Sequence, residues 1–517
     1  MKSPTVFVFL VLAASGLAEE KRGDAPDSAP STPLEQLAQF HVPPGFEVQL
    51  VAAEPEIQKP INLNFDAAGR LWATGSELYP WPARTDVKGQ PIPGFDKTWE
   101  EMTSAFRVGD QAPEPPPAGR DTVRILSDFA PDGRARSIVT FAENLNIPTG
   151  IQPLPRVAQA SSLAPAGVAQ ASSLAPAESA TADQSAPVGG KMDGLGTMQA
   201  GSLRHRAKGD CAIVFSIPNI WLAADLDGDG RADAFEPLYE GFGFTDTHGM
   251  SSNYLSWIDG WIYGCHGFRN HSEVKDRAGR LTVFDSGNTY RFRPDGSQIE
   301  YYTHGQTNPF GLTVDPLGNF FSADSHSKPV MMLIRGGYYA GIGKQHDGLG
   351  FAPTITDDDH GSSAIAGIAC YAADKFPEEY RGNLFNGNPV TRRINRDRLE
   401  WHGSTPKAIR MPDFLTCDDP WFRPVQVKLG PDGALWIADF YNPIIGHYEQ
   451  PLTDPRRDHT HGRIWRVVWR GEKAAASEPS KVASDESGER TRPACCFRRL
   501  AGNFVRTRHR RSHRGEK

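Results

Sequence analysis

Short apolar runs with alternating polar positions recur along this chain, and they break at the same punctuation. An apolar residue is followed by Asp or Pro-Asp, then Gly, then more apolar residues. The copies are Phe65-Asp-Ala-Ala-Gly-Arg-Leu-Trp-Ala-Thr74, Phe129-Ala-Pro-Asp-Gly133, Trp257-Ile-Asp-Gly-Trp-Ile-Tyr-Gly264, Phe292-Arg-Pro-Asp-Gly296, Val314-Asp-Pro-Leu-Gly-Asn-Phe-Phe-Ser-Ala-Asp324 and Leu429-Gly-Pro-Asp-Gly-Ala-Leu-Trp-Ile-Ala-Asp439. Asp-Gly is hairpin chemistry, because Gly takes a positive φ and Asp bonds its own backbone. The flanking residues are β-branched and aromatic, as strands prefer. A strand-turn-strand unit repeated in this way predicts an all-β propeller, whose inner loops gather at one mouth.

The pattern also divides the chain. Phe46-Glu-Val-Gln-Leu-Val-Ala52 alternates like a first strand, and Gly462-Arg-Ile-Trp-Arg-Val-Val-Trp469 like a strand that closes the ring. Residues 83–120 are rich in Pro and Gly and read as a long loop. Residues 155–209 break the pattern. Val157-Ala-Gln-Ala-Ser-Ser-Leu-Ala-Pro-Ala166 recurs word for word at 168–177, and such small-residue sequence buries too little apolar area to offset its ordering entropy. It reads as a disordered insertion. Beyond Gly471 the chain turns Ser/Glu-rich and then Arg-rich. The expected layout is a signal peptide at 1–18, a polar leader at 19–33, a propeller domain at 34–471 and a basic tail at 472–517.

Charge refines this picture. The 517 residues carry a net −7, but the last 28 hold nine Arg and one Lys against one Glu, which leaves −16 on the rest. An acidic body argues against nucleic acid as a partner. Lys2, the apolar run Thr5–Ala14 and Gly16-Leu-Ala18 form a secretory signal, so the mature protein is expected to be periplasmic or secreted. No apolar run reaches the length of a membrane span. The six cysteines form no CxxC or CxxCH, so zinc-finger, thioredoxin and covalent c-type haem readings lack support. Cys211, Cys265, Cys370 and Cys417 suit either disulfides or buried thiols.

Two constellations carry chemistry. In Asp225-Leu-Asp227-Gly-Asp229-Gly-Arg231-Ala-Asp233-Ala-Phe-Glu236, carboxylates fall at loop positions 1, 3, 5, 9 and 12 with Gly at 6. That spacing wraps oxygen ligands around calcium, with Arg231 offering its carbonyl. Pro237 argues against a helix-loop-helix and for a loop between propeller strands. The second constellation is histidine at strand ends: His248 after Asp246, His266, His326 after Asp324, and His360. Asp439-Phe-Tyr441-Asn442 closes the last repeat. A His beside a carboxylate accepts a proton at neutral pH, as oxidation of an alcohol carbon requires.

Thr307-Asn-Pro-Phe-Gly-Leu312 resembles the Arg-Asn-Pro-x-Gly-Leu segment of the soluble quinoprotein glucose/sorbosone dehydrogenases. Phe40-His-Val-Pro-Pro-Gly-Phe-Glu-Val48, the Asp225 loop, His304-Gly-Gln-Thr-Asn-Pro-Phe-Gly311, Asp324-Ser-His-Ser-Lys-Pro329 and Asn386-Gly-Asn-Pro-Val-Thr391 resemble the propeller part of membrane-bound-dehydrogenase-like, haem-binding proteins of planctomycete-type bacteria. The likeness spans about residues 34–471 less the insertion. It implies six blades, with seven the alternative, and a PQQ-type dehydrogenase of a sugar or related alcohol. His248, with Asp246, would be its base. Asn308, Thr307, His266, Asp324, His326 and Tyr441 would lie around the cofactor, and a separate carrier such as a cytochrome c would take the electrons. Thr307 stands where those enzymes carry Arg, which removes a cation from the quinone. The rival expectation is a non-catalytic propeller that binds glycans or proteins at the same mouth.

Overall fold

The computed structural model describes residues 28–471 except 107, 109–111, 157–200, 363, 445 and 447–449. The expected signal peptide, most of the leader and of the insertion, and the basic tail lie outside the described residues. Six antiparallel sheets make six blades. Each blade's first strand packs against the first strand of the next, and the sixth packs against the first. The ring is therefore closed, and the protein is a six-bladed β-propeller.

The inner strands are Pro60–Phe65, Gly150–Leu154, Ser252–Ser256, Asn308–Val314, Ile368–Cys370 and Pro424–Leu429. The chain's two ends close the ring, as Phe46–Ala53 pairs with Arg463–Trp469 from Phe46↔Trp469 to Ala53↔Arg463. The last blade thus takes its outer strand from the start of the chain, and Phe40–His41 adds to the fifth blade at Phe40↔Cys417. The hairpin His271–Lys275 and Leu281–Asp285 leaves the third blade and extends the second, at Glu240↔Lys275.

The core lies between the blades. Buried aromatic and aliphatic faces join neighbouring sheets, with Trp72, Trp221, Trp436 and Trp465 almost fully enclosed. Burying each such side chain contributes roughly 1.5–3 kcal/mol. The four described cysteines are buried free thiols. The loop expected at 83–120 contains a helix, Phe95–Ala105. Phe95, Trp99 and Met102 share one face of it, and Phe95 stacks on Phe244 at 5.9 Å. Its Pro-rich flanks masked that periodicity. The second blade interrupts between Leu154 and Cys211, at the insertion. Among the described residues, no helix is long and apolar enough to cross a membrane.

Every Asp-Gly turn of the repeat joins strands at one end of the ring, hereafter the turn face. Inner strands begin, and second strands end, at the opposite mouth face.

Candidate functional site

Three inner strands open at an X-Pro pair: Lys59-Pro60, Asn308-Pro309 and Arg423-Pro424. Proline has no N–H for the ladder, so it suits a strand's first position. All three occupy one register, since Pro60 faces Gly75, Pro309 faces Asp324 and Pro424 faces Asp439, each followed by a register shift. Lys59, Asn308 and Arg423 are thus equivalent positions around the mouth.

Below them, amides fill the ring. Asn62 Nδ2 donates to Asn253 Oδ1 at 3.0 Å, between the first and third blades, and Asn253 Nδ2 donates to Phe310 O at 3.0 Å. The mouth is therefore floored rather than open as a channel.

His248 sits at the mouth with 19 % of its side chain exposed, over a buried Asp246. Its backbone N–H donates to Asp246 Oδ1 at 2.9 Å, while the ring Nδ1 lies 3.5 Å from the same oxygen. The longer distance is too great for a good hydrogen bond. Asn270 fixes the Asp246 backbone through both its amide atoms, at 3.0 and 2.8 Å. Tyr79 meets the His248 ring edge-on at 4.8 Å and Phe440 at 5.5 Å. Lys59 Nζ lies 5.0 Å from the Phe440 ring. This fully buried ammonium donates to Tyr441 O at 2.7 Å and pairs with Asp458 at 2.5 Å. Burial pulls the Lys59 pKa down to about 8 against the pull of Asp458.

One side of the mouth gathers more of the predicted residues. A Cβ on Gly249 would lie 2.3 Å from Phe268 O, so only glycine lets the His248 segment back onto Phe268. Phe268 N donates to Asn308 Oδ1 at 3.0 Å, and its ring lies 6.4 Å from the exposed His326. His248, Asp246, Asn308 and His326 therefore share this side.

The other predicted cofactor residues point into the blades. Asp324 accepts the N–H groups of Thr307 and Asn308 at 3.1 and 2.6 Å, and burial raises its pKa to about 6. Thr307 is buried, and its Oγ1 accepts the Ile342 N–H at 3.2 Å. His266 is buried on Ser272 Oγ at 2.7 Å, and burial drives its pKa down to about 3, so it is neutral. Tyr441 lies under the Arg463 guanidinium at 3.7 Å, and its hydroxyl donates to Asp419 at 2.9 Å. Apart from His266 Nδ1, which is buried without a hydrogen-bond partner, these four residues spend their polar atoms inside the fold, and the cations Lys59 and Arg423 are committed to the 440–443 backbone and Asp458. They do not fit as a cradle for PQQ, a tricyclic tricarboxylate. Lys59, Asp458, Tyr79 and Phe440 went unpredicted. The sequence signal for Lys59 was its place before Pro60, parallel to Asn308-Pro309.

The Asp225 loop lies on the turn face, between strands Asn219–Ala224 and Ala234–Glu240, so it is not part of a helical hand. Oxygens of Asp225, Asp227 and Asp229 lie within 4.8 Å of one another. Asp225 accepts the N–H groups of Gly228 and Gly230, which shapes the loop. Asp233 accepts the Leu226 N–H at 2.7 Å. The Arg231 side chain reaches Glu143 at 3.3 Å. The expectation for Glu236 is corrected. It belongs to the next strand and pairs with Arg277 at 2.5 Å, because the extended backbone carries it away from the loop.

A closed six-bladed ring with a floored, polar mouth defines the class of protein. The chain belongs to the family described as a domain of unknown function (DUF7133), whose model matches residues 32–164 and 206–471. No curated protein matches the chain. Similar solved structures include an oxidoreductase (glucose dehydrogenase) from Thermus thermophilus, at 15 % identity and TM-score 0.45, covering 82 % of this chain and 100 % of that one. The PQQ-bound aldose sugar dehydrogenase of Streptomyces coelicolor gives 13 % and 0.41, covering 83 % and 99 %. The calcium-binding protein regucalcin from Agrobacterium tumefaciens gives 10 % and 0.39, covering 82 % and 95 %. At these values no residue role carries across.

Proposed function

We propose that this protein is an exported propeller oxidoreductase of the sugar-dehydrogenase kind, related to the planctomycete-type dehydrogenase-like propellers, acting on a sugar or related alcohol. The observation that carries the reading is His248: a partly exposed imidazole at the mouth, paired with buried Asp246 and braced by Tyr79. In this reading His248 accepts the hydroxyl proton while the carbon's hydride passes to an external two-electron acceptor such as a quinone or dye, and the Asp246 carboxylate stabilises the imidazolium that forms. PQQ would supply the electron sink in such chemistry, with a cytochrome c as the onward carrier. Thr307 and its buried neighbours do not fit PQQ, so no electron step is assigned to a residue.

The second reading is a non-catalytic glycan- or protein-binding propeller. Its favouring observation is that same burial of Thr307, His266, Asp324 and Tyr441. The deciding experiment follows dye reduction by the purified chain across a panel of aldoses, with calcium and both with and without added PQQ. Under the oxidoreductase reading turnover appears, and His248→Ala lowers it by about 10²–10⁴-fold. Absence of turnover and of PQQ binding leaves the binding reading standing.

Calcium is proposed at Asp225, Asp227 and Asp229, with a structural role because the loop is on the face away from His248. Calcium at a hundredfold excess over its Kd would add about 2.7 kcal/mol of stability. Asp229→Ala would abolish that gain, and an identical melting curve with calcium and with chelator would refute the site.

A further inference from the structure

A second feature of the mouth face lies outside His248 and its neighbours. A cavity of about 160 Å³ opens above the third blade, lined among others by Asp285, Asn288, Tyr301, His304, Tyr338 and Lys344. Its position follows from the register, since Asn288 pairs with His266 at the mouth end of the third blade. Gly287 forms part of its floor. It has φ +61, and a Cβ there would lie 1.6 Å from Gln306 O, so only glycine allows the two segments to meet beneath the cavity.

The walls are built, not incidental. His304 is sandwiched between Tyr301 at 4.4 Å and Tyr338 at 4.6 Å, with interplanar angles of 26° and 15°. The stack is pinned by the backbone: His304 N donates to Gly337 O at 2.9 Å, and Tyr339 N donates to His304 O at 2.8 Å. The Tyr301 hydroxyl accepts the Asp285 N–H at 3.2 Å, which ties the aromatic wall to the acidic one. Lys344 is half-buried and donates to Ser286 O, which fixes its ammonium at the rim. His271 holds Asp285 Oδ1 at 2.6 Å. Burial lowers the His304 pKa from its ordinary value.

The lining thus offers one ammonium, one carboxylate, an amide, phenol hydroxyls and an aromatic stack in a small volume. A free anion would gain from Lys344 but meet the Asp285 carboxylate. An apolar ligand would leave these groups without hydrogen bonds, at the cost of their desolvation. A ring of hydroxyls matches both signs, because each hydroxyl donates to a carboxylate and accepts from an ammonium. The volume falls well below the roughly 300–1,000 Å³ of pockets for drug-sized ligands, which limits the ligand to about one ring.

We propose that this cavity is a binding site for a neutral, polyhydroxylated single-ring molecule, a monosaccharide or cyclic polyol, held between Lys344 and Asp285 against the Tyr301–His304–Tyr338 stack. The site does not rest on the oxidoreductase reading, because none of these residues takes part in it.

The test uses the full chain with methyl α-D-glucopyranoside, myo-inositol and inorganic phosphate as probes, read by saturation-transfer NMR and calorimetry. One or both neutral probes should bind, and phosphate should neither bind nor compete. Lys344→Met should weaken binding about tenfold through loss of a charge-assisted bond. Tyr338→Ala should weaken it as well, and His248→Ala should leave it unchanged. Circular dichroism of each variant separates loss of the site from loss of the fold, and Lys344→Met, at the rim, remains decisive if Tyr338→Ala fails to fold. Binding of phosphate alone, binding of neither neutral probe, or sugar binding that survives Lys344→Met or falls with His248→Ala would overturn the proposal.

Discussion

The two faces of this ring use one residue type, aspartate, in opposite ways. On the turn face the Asp of each of three hairpin turns works within that turn. Asp66 Oδ1 accepts from Ala68 N and Arg70 N, Asp276 Oδ1 from Ala278 N and Arg280 N, and Asp315 Oδ1 from Leu317 N and Asn319 N. Each bond spans two or four residues, so the turn is complete in a few residues of sequence. On the mouth face Asp reaches across the fold. Asp324 holds N–H groups 16 and 17 residues away, and Asp121 holds Leu78 and Ile147 N–H groups 43 and 26 residues away. These hairpin turns are therefore local chemistry repeated, whereas Asp324 and Asp121 at the mouth tie together distant segments. The mouth should be the costlier face to disturb, and the more sensitive to rising pH.

The strongest way to break this contrast is Asp458→Ala. It leaves the Lys59 ammonium, which is fully buried, without its 2.5 Å partner. Stranding a buried charge typically costs about 3–5 kcal/mol, because desolvation is no longer offset. Denaturant unfolding of the variant measures it. Pairing the change with Lys59→Met should recover part of the loss. A cost under about 1 kcal/mol, the usual worth of an exposed pair, would show that the mouth is no more integrated than the surface.

That expectation also marks how far the sequence could be read. The turns were legible, because Asp-Gly chemistry needs only neighbours. The ring, its closure by Arg463–Trp469 and the Asp225 loop followed from the same local patterns. The mouth was only half legible. His248 beside Asp246, and Asn308 and His326 near Phe268, are brought together as the strand-end positions implied. His266, Asp324, Thr307 and Tyr441 lie at the same strand ends but turn inward, and nothing local in sequence distinguishes a histidine on Ser272 from one facing solvent. Asp458 was invisible for the same reason, since its partner Lys59 is nearly four hundred residues away in the chain.

A pH profile sharpens the comparison further. Burial lifts Asp324 to about 6 and Asp121 to about 7, against hydrogen bonds that only partly offset it. Between the ordinary carboxylate range and these values the folded state binds protons that the unfolded chain has released. The stability these groups contribute is therefore greatest below about pH 4 and falls as pH rises toward 7. Asp210, on the turn face, has the opposite sign. Burial raises it, but Arg70 and Arg156 outweigh that and hold it at about 2, so its contribution is present above pH 4 and lost as pH falls toward 2. Asp324→Asn carries no charge at any pH. Its stability deficit relative to the wild type should shrink by about 2 kcal/mol between pH 4 and pH 7. A deficit constant across that range would mean that Asp324 is ionised and well solvated.

The smallest expected effect tests the turn face itself. Asp315→Ala removes the acceptor for Leu317 N and Asn319 N, bonds of 2.9 and 2.8 Å, and for the Asn319 side chain. Asp315 is buried, but the two N–H groups lie at a hairpin end, where water can replace the carboxylate. Each lost bond then costs near the low end of about 0.5–1.5 kcal/mol, so the substitution should cost about 1 kcal/mol in all. Because the turn closes on itself, the loss should not propagate. Hydrogen exchange should quicken at 315–319 and stay unchanged at Thr307 and Asn308, at the mouth end of the same strand pair. If protection at Thr307 and Asn308 falls with it, the fourth blade unfolds as one unit, and the two faces differ in wiring but not in independence.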